Sequence, residues 1–448
     1  MKPDIIEAKL DKDLCKNKTR YFFSLLSPRF DIMNKLMTSS LERRFGGKFK
    51  AIRILSARPN KYYAYGNYIV LNNHASLVEK KLKDKIIYQQ EYEDLNIEFL
   101  KSSSIKDISS KLLRKQDKIF VYPFTTSFMK PRNGLVVIGP DFELATYYDS
   151  KIKHHELFKH LKLPSNKVRL FKTKNDLIKN YQKFLPGYIS AAYTSGGYES
   201  MLVYDESMLT KFLGGLREVN NKGSFLSAKI FEKITWAPNI SAIIVDENKT
   251  KILIVSDQIL SGNRYVGNIY PTSVSEKVCK EIVRITEKVG NYLSTKGYRG
   301  LFGLDFLVNC DEKVIVVDLN PRRQGGYACN ALALKYSGIE LTDLELTCAL
   351  KEDVGKILAY KNIKYPYVWA HSKIKPSDPG KRMKEETEKG DIEKIFKNKG
   401  TFVTTFFRKN SLFIAGYVGF TAVVRRSRKR AIEELILSSS IVLKENLI

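Results

Sequence analysis

The chain has 448 residues, with 76 Lys and Arg against 48 Asp and Glu, for a formal net charge of +28. Its 43% hydrophobic and 11% aromatic content excludes a disordered, collagen-like or low-complexity chain. No apolar run approaches the roughly 18 residues a membrane helix needs, and the opening MKPDIIEAKLDKDL mixes charge with short apolar pairs, unlike a signal peptide.

At roughly 150 residues per domain, the length implies about three domains. The basic residues are 55 Lys and 21 Arg, spread along the whole chain. Base and phosphate recognition favour clustered Arg, so a nucleic-acid role is a minority reading. The five cysteines (Cys15, Cys279, Cys310, Cys329, Cys348) are odd in number and widely spaced, which supports neither disulfides nor zinc. The expected compartment is the cytoplasm, with no membrane partner.

Up to about residue 145 the strand-like runs KYYAYGNYIVL, KIFVYPF and GLVVIGP alternate with helical segments such as SSSIKDISSKLLRK. Ser at that helix start is an expected N-cap, and the alternation predicts an α/β layer. From Asp149, DSKIKHHELFKHLKLP reads as a helix ending before Pro164, followed by strand KVRLFK and helix KNDLIKNYQKFL. GYISAAY and SMLVYD flank TSGG as two short strands. Then come strands SAKIFEKI, SAIIVDE and KILIVSDQIL, and helix KVCKEIVRITEKVGNYLSTKGY. Past residue 355 the polar KPSDPGKRMKEETEKGD reads as a loop, and GTFVTTFF with SLFIAGYVGFTAVV as β-rich chain before a helix starting near Arg428.

Chemistry concentrates in GLFGLDFLVNCDEKVIVVDLNPR. Pairing 301–308 with 313–320 as a regular hairpin predicts Asp305 opposite Val316, with Asp318 its diagonal neighbour at roughly 7–8 Å. Asp305, Asp318 and Asn320 then share one sheet face. Two carboxylates and an amide oxygen between apolar runs need a cation, and oxygen-only ligands suit Mg2+ or Mn2+. Arg322 keeps the same parity and can neutralise a phosphoryl oxygen. In TSGGY, Ser195, Gly196 and Gly197 allow backbone N–H groups to approach phosphate, although a plain hairpin turn fits that tetrad equally. Neither GxxxxGK[ST] nor GxGxxG occurs.

Together these features resemble the ATP-grasp superfamily, over about Tyr147 to Ala349. The resemblance implies an ATP-grasp α/β fold with a pre-ATP-grasp α/β domain (1–145), a grasp domain (146–355, lid about 185–235) and a small C-terminal β-rich domain (356–448). It implies that Asp305, Asp318 and Asn320 hold Mg2+ on ATP, with Arg322 beside them, and that Lys151 is the first nucleotide-binding Lys. TSGGYES resembles the family's glycine loop, and Glu232-Lys233-Ile234 its adenine hinge. One departure stands out: Ala191-Ala192 occupy the strand position where the family usually has a phosphate-binding Lys, and Lys229 is a candidate to compensate.

The implied activity is ATP-dependent joining of a carboxylate to an amine through an acyl phosphate, releasing ADP and phosphate. The chain is similar to stand-alone amino-acid or peptide ligases of specialised metabolism. The loop Arg323-Gln324-Gly325-Gly326-Tyr327 would line the acceptor region, with Arg323 and the glycine N–H groups binding a carboxylate or oxyanion, and Arg264 is a second candidate anion contact. Expected partners are small carboxylates and amines (amino acids or peptides), with a homodimer as a candidate assembly. Two alternatives stay open: loading an amino acid onto the thiol of an acidic carrier protein, and non-catalytic, nucleotide-gated binding of RNA. The basic run Arg425–Arg430 is a solvated helix start or a docking patch for such a partner. His371 is expected to be a packed or surface histidine.

Overall fold

The computed structural model describes residues 5–12, 14, 18–26, 30–56, 59, 61, 64, 66–71, 92–194, 199–216, 223–247, 249–353, 365–374, 381–382, 384–390, 394–395, 397–405, 412–413 and 419–446. Three sheets carry most of them. The first has six strands, β1 (Ile5–Lys9), β2 (Arg20–Leu25), β3 (Phe49–Leu55), β4 (Asn67–Leu71), β5 (Ile119–Pro123) and β6 (Leu135–Val137), in the order β1-β4-β3-β2-β5-β6. All its pairings are parallel except β1 with β4. Its helices are α1 (Asp31–Phe45), α2 (Tyr92–Lys101) and α3 (Ser103–Leu113). The expected cap holds: Ser102 accepts from the Ile105 N–H at the start of α3.

After α4 (Phe142–Tyr148) and α5 (Lys151–His160), a four-stranded antiparallel sheet follows. Its strands are β7 (Val168–Phe171), β8 (Gly187–Ala191), β9 (Ser200–Val203) and β10 (Phe225–Lys229), ordered β7-β10-β8-β9, with helices α6 (Lys174–Asn180) and α7 (Glu206–Gly214). SAKIFEKI is not one strand. β10 ends at Lys229, and the chain turns through Lys233, whose φ is +54°, before β11 (Ile234–Trp236) joins the next sheet.

The ten-stranded antiparallel sheet contains β11, β12 (Pro238–Asp246), β13 (Lys249–Ser261), β14 (Arg264–Tyr270), β15 (Gly300–Asn309), β16 (Val314–Asn320), β17 (Val368–Ile374), then β19 (Glu388–Lys389), β20 (Gly400–Thr405) and β22 (Gly419–Arg425). The C-terminal strands extend this sheet through β14–β17 pairing; they do not close a sheet of their own. β18 (Lys381–Arg382) and β21 (Leu412–Phe413) pair apart from it.

Alternation along the strands sets the two faces of the large sheet. On β12, Ile240, Ala242 and Ile244 pack with α8 (Glu276–Thr295), whereas Ile243 and Val245 enter the core shared with the first sheet. The α8 stripe Val278, Ile282, Ile285, Val289 and Leu293 is buried at helical spacing, and Ser275 caps its start. The opposite core includes α9 (Tyr327–Tyr336), α10 (Leu341–Ala349) and Trp369. The last helix, α11 (Arg428–Asn446), lies on β17, β20 and β22. Among the described residues, no helix is long and apolar enough to cross a membrane.

Candidate active site

The β15–β16 hairpin differs from the regular pairing expected of it. Val308 pairs with Val314 and Phe306 with Val316, but Asp305 then pairs directly with Asp318, and Gly303 with Asn320. Val317 is the extra residue of a β-bulge. Its effect shows in the packing: Val314 and Val316 face α8, and so does Leu319, three residues later. Without the bulge, Asp318 and Asn320 would take the α8 side. With it, both join Asp305 on the other face. The shared face is as expected; the diagonal relation is corrected to a direct one.

Like charges directly opposite on adjacent strands repel, and neighbouring groups compensate. Asp318 lies 2.8 Å from Lys151 Nζ through Oδ2 and 2.7 Å from His154 Nδ1 through Oδ1. Burial alone would raise its pKa, yet Lys151 and His154 beside it hold the Asp318 carboxyl well below the usual range. Asp305 accepts from the amides of Asn239 and Asn320 (Nδ2 to Oδ2, 3.1 Å) and, at 3.4 Å, Gln324. Burial first, then the Asp318 charge, push its carboxyl up to about 6. The pair therefore carries more negative charge than Lys151 offsets.

Helix α5 supplies two of these partners because Lys151 and His154 are three residues apart, on one face. His154 is 2% exposed and its Nε2 donates to the Tyr148 carbonyl at 2.5 Å. Its Nδ1, close to Asp318, accepts from the Leu319 N–H at 3.3 Å. The backbone N–H of Lys151 donates to Ala192 O at 2.9 Å, tying the helix start to the four-stranded sheet. Arg322 lies 3.5 Å from Asp149 Oδ1, with its guanidinium 5.5 Å from the centre of the Phe124 ring.

Lys151, Asp305, Asp318 and Asn320 are thus brought together, while Arg322, two residues beyond Asn320, pairs with Asp149. Other expected residues lie elsewhere. Arg323 is corrected most clearly: it is 2% exposed, ion-paired to Glu345 at 2.6 Å and bonded to the Pro123 and Ile138 carbonyls, so it faces the core and not an acceptor pocket. Lys229 does not stand in for a lysine at Ala191-Ala192. Phe225 is opposite Ala191, and Lys229 pairs with Gly187, roughly 13 Å further along the strand. Arg264 is exposed at the β13–β14 hairpin, where Asn263 Nδ2 donates to Ser200 O at 2.8 Å.

Glu232, Lys233 and Ile234 are exposed in the connection between the two sheets, with the Lys233 carbonyl accepting from Cys310 N. Ser195, Gly196 and Gly197 lie outside the described residues; at the loop's base, Ala191 N donates to Glu199 O at 3.0 Å. The basic run is partly consumed internally: Arg425 pairs with Glu434 and Arg428 with Asp257, each at 2.8 Å. His371 is buried at 2% exposure beside Tyr265, as a packed histidine should be.

Two contributors, His154 and Asn239, were not expected from the sequence, and a third, Gln324, was expected only as part of the acceptor-lining loop. His154 was detectable from its i+3 spacing to Lys151. Gln324 stands within the motif itself, packed so tightly over Gly303 that a Cβ there would fall 2.0 Å from its amide. Asn239 carries no signal, because its role depends on β12 lying beside β15.

A six-stranded, largely parallel sheet, a small antiparallel sheet and a large antiparallel sheet meeting at an Asp/Asp/Asn face define an ATP-grasp architecture. Residues 210–326 match the family model described as an ATP-grasp domain, so the chain carries an ATP-grasp domain. It is 31% identical over 109 residues to the L-propargylglycine–L-glutamate ligase of Streptantibioticus cattleyicolor, covering 24% of this chain and 22% of that one. The chain spans under a quarter of the length of the curated relatives it matches. Among solved structures, the Campylobacter jejuni biotin carboxylase superposes with a TM-score of 0.66 at 13% identity, over 95% of this chain and 94% of that one. The Bacillus licheniformis L-amino acid ligase gives 0.59 at 14% identity, over 96% and 98%.

Proposed function

We propose that the protein is an ADP-forming ligase joining the carboxylate of one small molecule to the amine of another, with residues 1–145, 146–355 and 356–448 as its pre-grasp, grasp and C-terminal domains. The observation that carries this reading is the directly opposed Asp305–Asp318 pair with Asn320 and Lys151. The donor set fits a hard divalent cation: two directly opposed carboxylates, one raised first by burial and then by the charge of the other, and the Asn320 Oδ1 left over once its Nδ2 is committed to Asp305. Among the described residues no larger His/Cys/Asp/Glu cluster competes for a metal. Asp305, Asp318 and Asn320 would hold Mg2+ or Mn2+, which supplies charge neutralisation to the phosphate oxygens of bound ATP.

Lys151 and Arg322 would add positive charge where phosphoryl transfer develops negative charge. The exposed 232–234 connection would offer backbone groups to adenine, and the 195–197 segment would cover the phosphates. In the first step a substrate carboxylate oxygen takes the terminal phosphoryl group and ADP leaves. In the second, an amine attacks the acyl carbon, phosphate leaves and the amine loses a proton. The ligase names among the relatives, one for two amino acids and one for L-amino acids, support amino acids or peptides as substrates.

The test is phosphate release from purified protein with MgATP and pooled L-amino acids. Release should require both a carboxylate and an amine, and 18O from the carboxylate should appear in the phosphate. AMP and pyrophosphate in place of ADP and phosphate would overturn the acyl-phosphate route.

A further inference from the structure

The loop leaving β16 is fixed in a different direction at nearly every residue. Arg322 turns to Asp149 and Gln324 to Asp305. Gln324 Oε1 also accepts from Ser241 Oγ at 2.9 Å. Gly325 and Gly326 lie so close to Tyr265 and Asn268 that an added Cβ would come within 2.4 and 2.8 Å of them. Arg323 points away from the acids and threads between β5, β6 and α10.

Its burial is nearly complete. One guanidinium nitrogen donates to Pro123 O at 2.5 Å and the other to Ile138 O at 3.0 Å, and the latter also meets Glu345 Oε1 at 2.6 Å. The guanidinium carbon lies 4.4 Å from the Tyr122 ring centre and 5.5 Å from that of Tyr327. The two tyrosine hydroxyls are 2.6 Å apart, and Tyr327 donates to the second oxygen of Glu345. Burial pushes the Glu345 carboxyl up, and Arg323 with the tyrosine hydroxyls pulls it back.

Desolvating two charges is costly, and apolar residues of similar volume often serve stability as well. What an apolar pair lacks is direction: a planar fork bonded to two fixed carbonyls and a carboxylate sets the loop backbone in one place. We infer that Arg323 and Glu345 are positioning residues, which lock loop 321–326 to the first sheet and so hold Arg322 beside Asp149 and Gln324 beside Asp305. Neither touches a reacting atom. The kinetic part of this inference rests on the ligase reading; the structural part does not.

Three variants test it: Arg323→Lys, which keeps the charge without the fork; Glu345→Gln; and the double variant Arg323→Met/Glu345→Leu. The readouts are melting temperature, amide exchange over residues 322–330, MgATP affinity, and phosphate release with pooled amino acids. The double variant is expected to melt within a few degrees of wild type yet exchange about tenfold faster in this segment. Its phosphate release should fall about tenfold or more, while MgATP affinity changes by less than about twofold because Lys151 and the acid pair are untouched.

Wild-type exchange in the double variant, alongside wild-type melting, would show that the pair does not fix the loop and overturn the inference. Should that variant fail to fold, a folded Arg323→Lys with unchanged exchange overturns it equally. If wild type releases no phosphate from any pool, the ligase reading fails while the exchange comparison still decides this one.

Discussion

The ten-stranded and four-stranded sheets meet at Lys151, which reaches Asp318 of one through Nζ and Ala192 of the other through its backbone N–H. On the first wall the chemistry is carried by side chains held at several points: Asp305 by three amides, Asp318 by a lysine and a histidine. On the second wall Ala191 and Ala192 are buried at 0% and 4% exposure, and no charge projects from them. The contrast teaches that opposing walls of one site need not share the electrostatic task. Here, among the described residues, the charged side chains beside Asp318 come from α5, and the small sheet meets Lys151 through the Ala192 carbonyl.

The most severe challenge to that asymmetry is Asp318→Asn, which keeps the shape and removes the charge. Phosphate release is expected to fall roughly a thousandfold, with secondary structure by circular dichroism unchanged; activity within about tenfold of wild type would mean the carboxylate pair is not the working face. Next comes Gly303→Ala. Its Cβ would displace the Gln324 amide, and a misplacement of about 1 Å near reacting groups can cost roughly 100-fold in turnover. MgATP affinity should stay close to wild type, and a parallel loss of affinity would show that Gly303 shapes the nucleotide site instead.

Lys151→Met sharpens the comparison by removing the cation common to both walls. A charge-assisted contact is worth about 1.5–3 kcal/mol, so MgATP should bind roughly tenfold to a hundredfold more weakly by calorimetry. The smallest effect is assigned to Lys229→Ala. Its side chain is exposed and four residues from the position opposite Ala191, so affinity should move by less than about twofold. A large loss there would restore the four-stranded sheet as a source of phosphate-binding charge.

Much of this was legible in the sequence, for reasons that can be located. Asp318 and Asn320 share a face because strand parity is a local property, whereas their joining Asp305 depends on the Val317 bulge, which no local pattern announces; the α5 start follows from its helical run before Pro164. Strand β14 escaped notice: RYVGNIY interleaves Arg, Gly and Asn with its apolar residues, and its strand identity comes from neighbours β13 and β17. Helices α9 and α10 escaped because YACNALALKY is buried on nearly all sides, which erases the one-sided period that betrays a helix. Arg323 was misplaced for a related reason. Adjacent residues in an irregular loop follow no parity, so nothing local distinguishes the arginine that pairs with Asp149 from the one buried against Glu345.

Val317 has a consequence for how this hairpin tolerates change in length. The strand either side of it reads in two phases, and one residue sets the offset between them. Deleting Val317 would leave every acid and amide of the motif in the chain, in the same order, while turning Asp318 and Asn320 toward the apolar side of α8. A single added residue before Asp318 would do the same. Residue count between Phe306 and Asp318 is therefore as strict a requirement as the identity of the acids, and a related chain that keeps the letters but not the spacing would have lost the site.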